Sequence, residues 1–174
     1  MLNDFQESAE RHRNRIFTFA CYCLGDRDDA QDVTQVVLVR LWKNWAQIEP
    51  ERVEPWIIHV TRNACIDVMR RRTSYRKVVA PDPEGDAVTL AASTAPDPSA
   101  LTETMEFQAH VERALATLRE PYRSIVVLRE IQDYRYEEIS AALGMPLNTV
   151  KVYLHRARRK LRRELQEYVS HEVE

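Results

Sequence analysis

Apolar residues recur every three or four positions through most of the chain, and glycines and prolines break that rhythm. The first break is Gly25. Before it, Phe5, Ala9, Ile16, Ala20 and Cys23 fall on one side of a 3.6-residue period, which predicts a helix ended by Gly25. Asp26 then suits an N-cap, with Asp28 and Asp29 in the first turn of a second helix over roughly 27–46. That second helix is apolar nearly all round, through Val33, Val36, Val37, Leu38, Val39, Leu41, Trp42 and Trp45. A small domain cannot cover every side of such a helix, so a partner is expected on one of them. A loop at 46–52 with Pro50 follows. A third helix is expected from Val53, with Val53, Trp56, Val60 and Ala64 as its core stripe and His59, Asn63, Asp67 and Arg71 as its polar stripe. All three tryptophans (Trp42, Trp45, Trp56) suit core positions better than stacking platforms.

Residues 73–102 lose the helical period and hold four of the eight prolines plus Gly85, which predicts a linker. Beyond it, Phe107, Val111, Leu115 and Leu118 predict one helix, and Pro121 opens another through Ile131. Tyr136–Leu143 predicts a short helix stopped at Gly144. A last helix begins near Asn148, and its apolar positions Val150, Leu154, Ala157 and Leu161 form a regular stripe. The expected fold is therefore all-α: two small helical domains, 1–72 and 103–170, joined by an acidic flexible linker, 73–102.

Composition adds little until it is resolved by position. The 174 residues carry a net charge of −2, which on its face argues against a nucleic-acid partner. By segment, residues 61–77 carry +5, residues 78–112 carry −7 with no Lys or Arg, and residues 147–163 carry +7 with no acid. Near-neutrality is thus a cancellation between separated blocks, each acting over a Debye length of about 8 Å. No stretch approaches about 18 continuous apolar residues, so no membrane-inserted helix is expected. The N-terminal segment holds Asp4, Glu7 and Glu10 and lacks a signal-peptide core, so a cytoplasmic location is expected.

Two stretches carry chemistry. Residues 136–165 place a short helix, a Gly-containing turn and a helix with a basic outer face in sequence, the pattern of a helix-turn-helix. Lys151, Val152, Tyr153, His155 and Arg156 are placed to reach base edges, while Arg158, Arg159, Arg162 and Arg163 suit phosphates. The other stretch, PWIIHVTRNACIDVMRRR, puts aromatic and amide groups beside a basic run, which suits single-stranded or melted nucleic acid. Cys21 and Cys23 point in different directions along a helix, and Cys65 has no His or Asp at a suggestive spacing. No nucleophile or paired-carboxylate motif stands out, so no enzymatic activity, cofactor or metal is expected.

In this order, and with the acidic linker between them, these stretches resemble a bacterial RNA polymerase sigma factor of the compact extracytoplasmic-function (ECF) group. The resemblance rests on LGDRDDAQDVTQVVLVRLWKNW, PWIIHVTRNACIDVMRRR and LREPYRSIVVLREIQDYRYEEISAALGMPLNTVKVYLHRARRKL, and it covers nearly the whole chain. It implies that residues 27–42 dock on core RNA polymerase at the clamp helices through Asp29, Asp32, Gln35, Leu38 and Trp42. It implies that Asn63 and the 46–52 loop capture a flipped base of the minus-ten element while Arg62, Arg70 and Arg71 hold the backbone. It implies that Lys151, Val152, Tyr153, His155, Arg156 and Arg159, supported by Arg129, Tyr136 and Glu137, contact the minus-thirty-five element, with this domain at the polymerase flap. It further implies promoter DNA as a partner, an anti-sigma factor as an inhibitor, and a path for the acidic linker through the polymerase's RNA channel.

The sequence departs from the family where Asn148-Thr149-Val150-Lys151-Val152-Tyr153 replaces the usual Gly-Thr-Val-Lys/Arg-Ser-Arg. The preference at the minus-thirty-five element therefore does not transfer, and Val152 offers an apolar contact for a thymine methyl. The alternative reading is a helix-turn-helix regulator that binds duplex DNA without polymerase. The 27–46 helix separates the two, since a stand-alone regulator would have to bury it in a homodimer.

Overall fold

The computed structural model describes residues 2–79 and 103–171, with side chains described over 4–75 and 106–166. Among the described residues the fold is all-α, and the chain divides into two compact units, Met1–Thr89 and Leu90–Glu174.

The first unit is a three-helix bundle of α1 (Leu2–Leu24), α2 (Arg27–Asn44) and α3 (Val53–Val79). Gly25 adopts φ +62°, a conformation that disfavours side chains with a Cβ, and its N–H bonds the Cys21 carbonyl at 2.8 Å. Asp26 caps α2 as expected, accepting the Asp29 N–H at 2.9 Å. One face of α2 enters the core through Ala30, Val33, Thr34, Val37 and Leu41. These meet Ile16, Phe19, Ala20 and Cys23 of α1. Each large aliphatic buried in this way contributes about 1.5–3 kcal/mol before the entropy of ordering is subtracted. His12 is also buried; desolvation lowers its pKa below the usual imidazole value, opposed by the Glu54 carboxylate.

Several expectations shift here. The buried stripe of α3 runs through Val53, Ile57, Ile58, Thr61, Ala64 and Cys65, about a quarter turn from the one expected through Trp56 and Val60, which are half-buried. Trp42 is 59% exposed and therefore not a core residue; Trp45 is half-buried edge-on against Phe5. The 46–52 segment is mostly helical rather than open loop, with 3-10 turns at Trp45–Gln47 and Pro50–Arg52. Finally, α3 continues to Val79, so residues 73–79 extend the helix beyond the boundary expected at 72. The rest of the expected linker, 80–102, lies outside the described residues.

The three consecutive arginines at the end of α3 are split by the helical period. Arg70 and Arg71 are exposed, whereas Arg72 turns inward. Its guanidinium bonds the Leu24 carbonyl at 2.9 Å, pairs with the Asp29 carboxylate and lies 3.7 Å from Asp26. One side chain thereby ties α3 to the α1–α2 turn. Arg72→Ala should cost about 2 kcal/mol, because it removes charge-assisted bonds to part-buried acceptors. Thermal unfolding followed by circular dichroism should show a Tm lowered by about 10 °C, while Arg71→Ala should stay within about 3 °C of the parent. Equal shifts for the two variants would contradict this role.

The second unit packs α4 (Glu103–Ala116), α5 (Tyr122–Val126), α6 (Tyr136–Leu143) and α7 (Leu147–His171). A π turn, Val127–Ile131, extends α5 and ends with the Gln132 N–H bonded to the Val127 carbonyl at 3.1 Å. The core holds Ala114, Leu115, Leu118, Ile125–Leu128, Ile139, Val150, Leu154 and Ala157. The expected α7 stripe is thus buried at three positions, with Leu161 half-buried at its end. Phe107, expected on a core stripe, is 62% exposed, and Leu118 lies in the turn after α4 rather than on the helix. That turn is organised by Arg123, which is 4% exposed. Its guanidinium donates to the Leu118 carbonyl at 2.9 and 3.1 Å and to the Ala116 carbonyl at 2.7 Å. It thus satisfies carbonyls that the end of α4 leaves without helical partners.

No helix among the described residues is long and apolar enough to cross a membrane.

Candidate functional site

The helix-turn-helix is built as its sequence dictates. Glu138 reaches back to the Arg135 N–H at 2.7 Å and to its guanidinium at 3.1 Å, which fixes the start of α6. Gly144 ends α6 in the left-handed region at φ 62°. The Met145 N–H bonds the Ser140 carbonyl at 3.1 Å, and the Ser140 hydroxyl donates to the Met145 carbonyl at 2.5 Å. Ser140 thus locks the turn through hydrogen bonds on both sides of it, which goes beyond the small size expected of it.

With Val150, Leu154 and Ala157 buried, the opposite side of α7 presents Asn148, Lys151, Val152, His155, Arg156, Arg159, Arg162 and Arg163 to solvent. The structure brings Arg129, Tyr136 and Lys151 together. The Arg129 guanidinium lies 5.1 Å and the Lys151 ammonium 5.8 Å from the centre of the Tyr136 ring. Arg129 also donates to the Tyr134 carbonyl at 2.9 Å and lies 3.5 Å from Asp133, so its position is set from three sides. Glu137 is exposed in the first turn of α6.

Two residues are placed differently from the sequence expectation. Tyr153 is half-buried on the flank of α7, stacked on Tyr122 at 4.7 Å between ring centres. Arg158, expected to hold phosphate, is engaged by Glu130 at 2.6 and 3.1 Å. That hydrogen bond raises its pKa further and fixes it as a cation paired within the unit. Both partners, Tyr122 and Glu130, precede α6 and were not singled out from the sequence, because neither pairing is local to α7.

In the first unit, Asn63 sits on the outer side of α3, its amide 3.0 Å from the His59 Nε2. Arg70 follows two turns later on the same side, with Arg62 beside Asn63 and Arg71 bonded to the Asp67 carbonyl at 3.3 Å. On α2 the side opposite the core carries Asp32, Gln35, Val36, Val39 and Trp42, all exposed. Val36 and Val39 belong to this surface although the motif resemblance did not single them out. Leu38 is half-buried at its edge, in a groove shared with Ala9, Arg13 and Phe17 of α1. Asp29, half-buried in the first turn of α2, is tied to Arg72. Among the described residues no group of three or more His, Cys, Asp or Glu could hold a metal, and Cys21, Cys23 and Cys65 form no disulfide.

Comparison with known proteins matches both units. Residues 9–75 match the family model of sigma-70 region 2, and residues 109–161 match that of sigma-70, region 4. The chain is 32% identical over 163 residues to the RNA polymerase sigma-E factor of Streptomyces coelicolor, covering 93% of this chain and 86% of that one. It is 31% identical over 166 residues to the ECF RNA polymerase sigma factor SigE of Mycolicibacterium smegmatis, covering 95% of this chain and 63% of that protein's length. Its fold matches that of the sigma factor RpoE of Bartonella quintana, solved with the anti-sigma factor NepR. The TM-score is 0.72 at 21% identity, over 94% of this chain and 97% of that one. The match to region 2 accounts for the first unit, for which a helix-turn-helix regulator acting alone has no use. The chain therefore belongs to the bacterial RNA polymerase sigma factors, in their extracytoplasmic-function group, and directs promoter-specific transcription initiation.

Proposed function

We propose that the exposed side of α2 is the surface that docks on core RNA polymerase, at the clamp helices, with Trp42, Val39 and Val36 as apolar anchors and Asp32 and Gln35 at the rim. The observation that carries this reading is the two-sidedness of α2. Val33, Val37 and Leu41 are buried within the unit, while Trp42, Val39 and Val36 are exposed on the other side. Apolar side chains clustered on a solvent face have no folding role, and they suit the desolvated centre of a protein interface. Leu38 extends this surface toward α1, and Asp29 supports it indirectly by holding α2 to Arg72.

Asn63, with Arg62, Arg70 and Arg71, would capture and hold the melted minus-ten strand on the outer side of α3. The cationic side of α7, with Lys151 steadied over Tyr136, would read the minus-thirty-five element, and the second unit would sit at the polymerase flap. Glu137 stands beside this surface on α6. The chain acts as an initiation subunit in the cytoplasm rather than as a catalyst. An anti-sigma protein is its expected inhibitor, since the solved relatives RpoE and CnrH are complexed with NepR and with the cytosolic domain of CnrY.

Core-polymerase pull-down combined with size-exclusion light scattering tests this reading. It predicts a monomer that joins core in equal proportion; a stable homodimer indifferent to core would contradict it. Ionic strength gives a second test. Each neutralised phosphate contributes about −0.9 to the slope of log affinity against log salt. Holoenzyme binding to a promoter duplex should therefore fall steeply with salt, and a double R162A/R163A variant should flatten the slope by about 2. An unchanged slope would remove these two residues from the backbone contacts.

A further inference from the structure

We propose that Val152 is a specificity-determining residue that reads a thymine of the minus-thirty-five element through the C5-methyl group of the base. This rests on the reading of α7 as the element's reader, and names what its centre recognises.

Val152 is 46% exposed on the sixth residue of α7, in the half of the helix nearest its N-terminus. Its neighbours one turn before and after, Asn148, His155 and Arg156, are all exposed, and Arg159 continues the same side. An apolar, β-branched side chain thus stands at the middle of a polar and cationic surface. Folding gives no reason for it, since valine forms helix less readily than alanine and this one gains no core contact. Its sequence neighbours are drawn to either side. Lys151 lies over the Tyr136 ring at 5.8 Å, and Tyr153 stacks on Tyr122 at 4.7 Å. Val152 stands exposed between them, and β-branching restricts such a side chain within a helix.

Of the four base pairs, only those with thymine present an apolar knob in the major groove. Against any other base at that position, valine would desolvate a polar edge without returning a hydrogen bond. The same side chain therefore favours thymine and disfavours the alternatives.

The test uses the full chain as holoenzyme with core polymerase. A duplex library randomised across the upstream element is selected for binding. Each thymine of the selected element is then replaced singly by deoxyuridine, which removes the methyl group and keeps the hydrogen-bonding edge. The parent should lose about fourfold in affinity at one position, equivalent to burying one methyl group. Val152→Ala, which keeps α7 helical, should bind the thymine and deoxyuridine duplexes equally well at that position. The proposal is overturned if no position is sensitive to deoxyuridine, or if Val152→Ala retains the full penalty. A selected upstream consensus that is insensitive to the methyl defeats only this inference. Absence of any upstream consensus defeats the reading of α7 itself, and the inference with it.

Discussion

Trp42→Ala should weaken binding to core RNA polymerase by about thirtyfold while leaving the fold intact. The indole is 59% exposed on α2, on the side opposite Val37 and Leu41. Truncating an aromatic anchor at the centre of an interface costs about 2 kcal/mol or more. Truncating an exposed residue in a monomer costs at most about 0.5 kcal/mol, and alanine favours the helix more than tryptophan does. The two effects are separable by measuring Kd for core polymerase and Tm on the same protein. A binding loss with Tm within about 3 °C of the parent supports the docking surface. A large fall in Tm would instead place Trp42 in the core of the fold. Val39, exposed one turn earlier on the same side, should show the same pattern at smaller amplitude.

Arg156→Ala should weaken binding to the minus-thirty-five element by about 1–3 kcal/mol and relax the choice of base at one position. Arg156 is exposed on the third turn of α7, whereas Arg158, two residues on, is paired with Glu130. A guanidinium can grip guanine through O6 and N7 with two parallel bonds, which an ammonium cannot reproduce. Arg156→Lys should therefore restore part of the affinity but not the base preference. Binding measured on the selected element and on variants at each position separates the cases. A uniform loss on every sequence, recovered by lysine, would make Arg156 a phosphate contact.

The sequence was most informative where one residue controls one backbone event. Gly25 and Gly144 both take positive φ, Asp26 caps α2, and the bounds Tyr136–Leu143 of α6 emerged as expected. Periodicity also located the buried side of α7 through Val150, Leu154 and Ala157. It failed on α3, where apolar residues surround the helix closely enough that a stripe a quarter turn away fitted nearly as well. The choice between them depends on where α1 and α2 pack, which is non-local information. The same limit applies to charge. Arg70, Arg71 and Arg72 read as one basic run, yet the helical period directs Arg72 to Asp29 and leaves Arg70 and Arg71 exposed. Arg158 looked equivalent to Arg159 until Glu130, 28 residues earlier, was placed beside it. Arg123 gave no signal in sequence, because its role lies in two carbonyls exposed by the way α4 ends. Segment charge singled out α3 and α7, and tertiary packing decides which of their cations stay exposed and which are paired within the unit.

On the proposed reading, the first unit docks on core polymerase through α2 and holds the minus-ten element on α3, while the second reads the minus-thirty-five element through α7. In vitro transcription with core polymerase, on a promoter library randomised at both elements, tests it most directly. The parent chain should yield transcripts enriched in two separate sequence blocks. Trp42→Ala should keep both blocks and recover its yield as its concentration is raised. Arg156→Ala should keep the downstream block and lose definition in the upstream one at any concentration. Transcripts without either block, or a Trp42→Ala variant that alters the upstream block while binding core normally, would contradict the assignment.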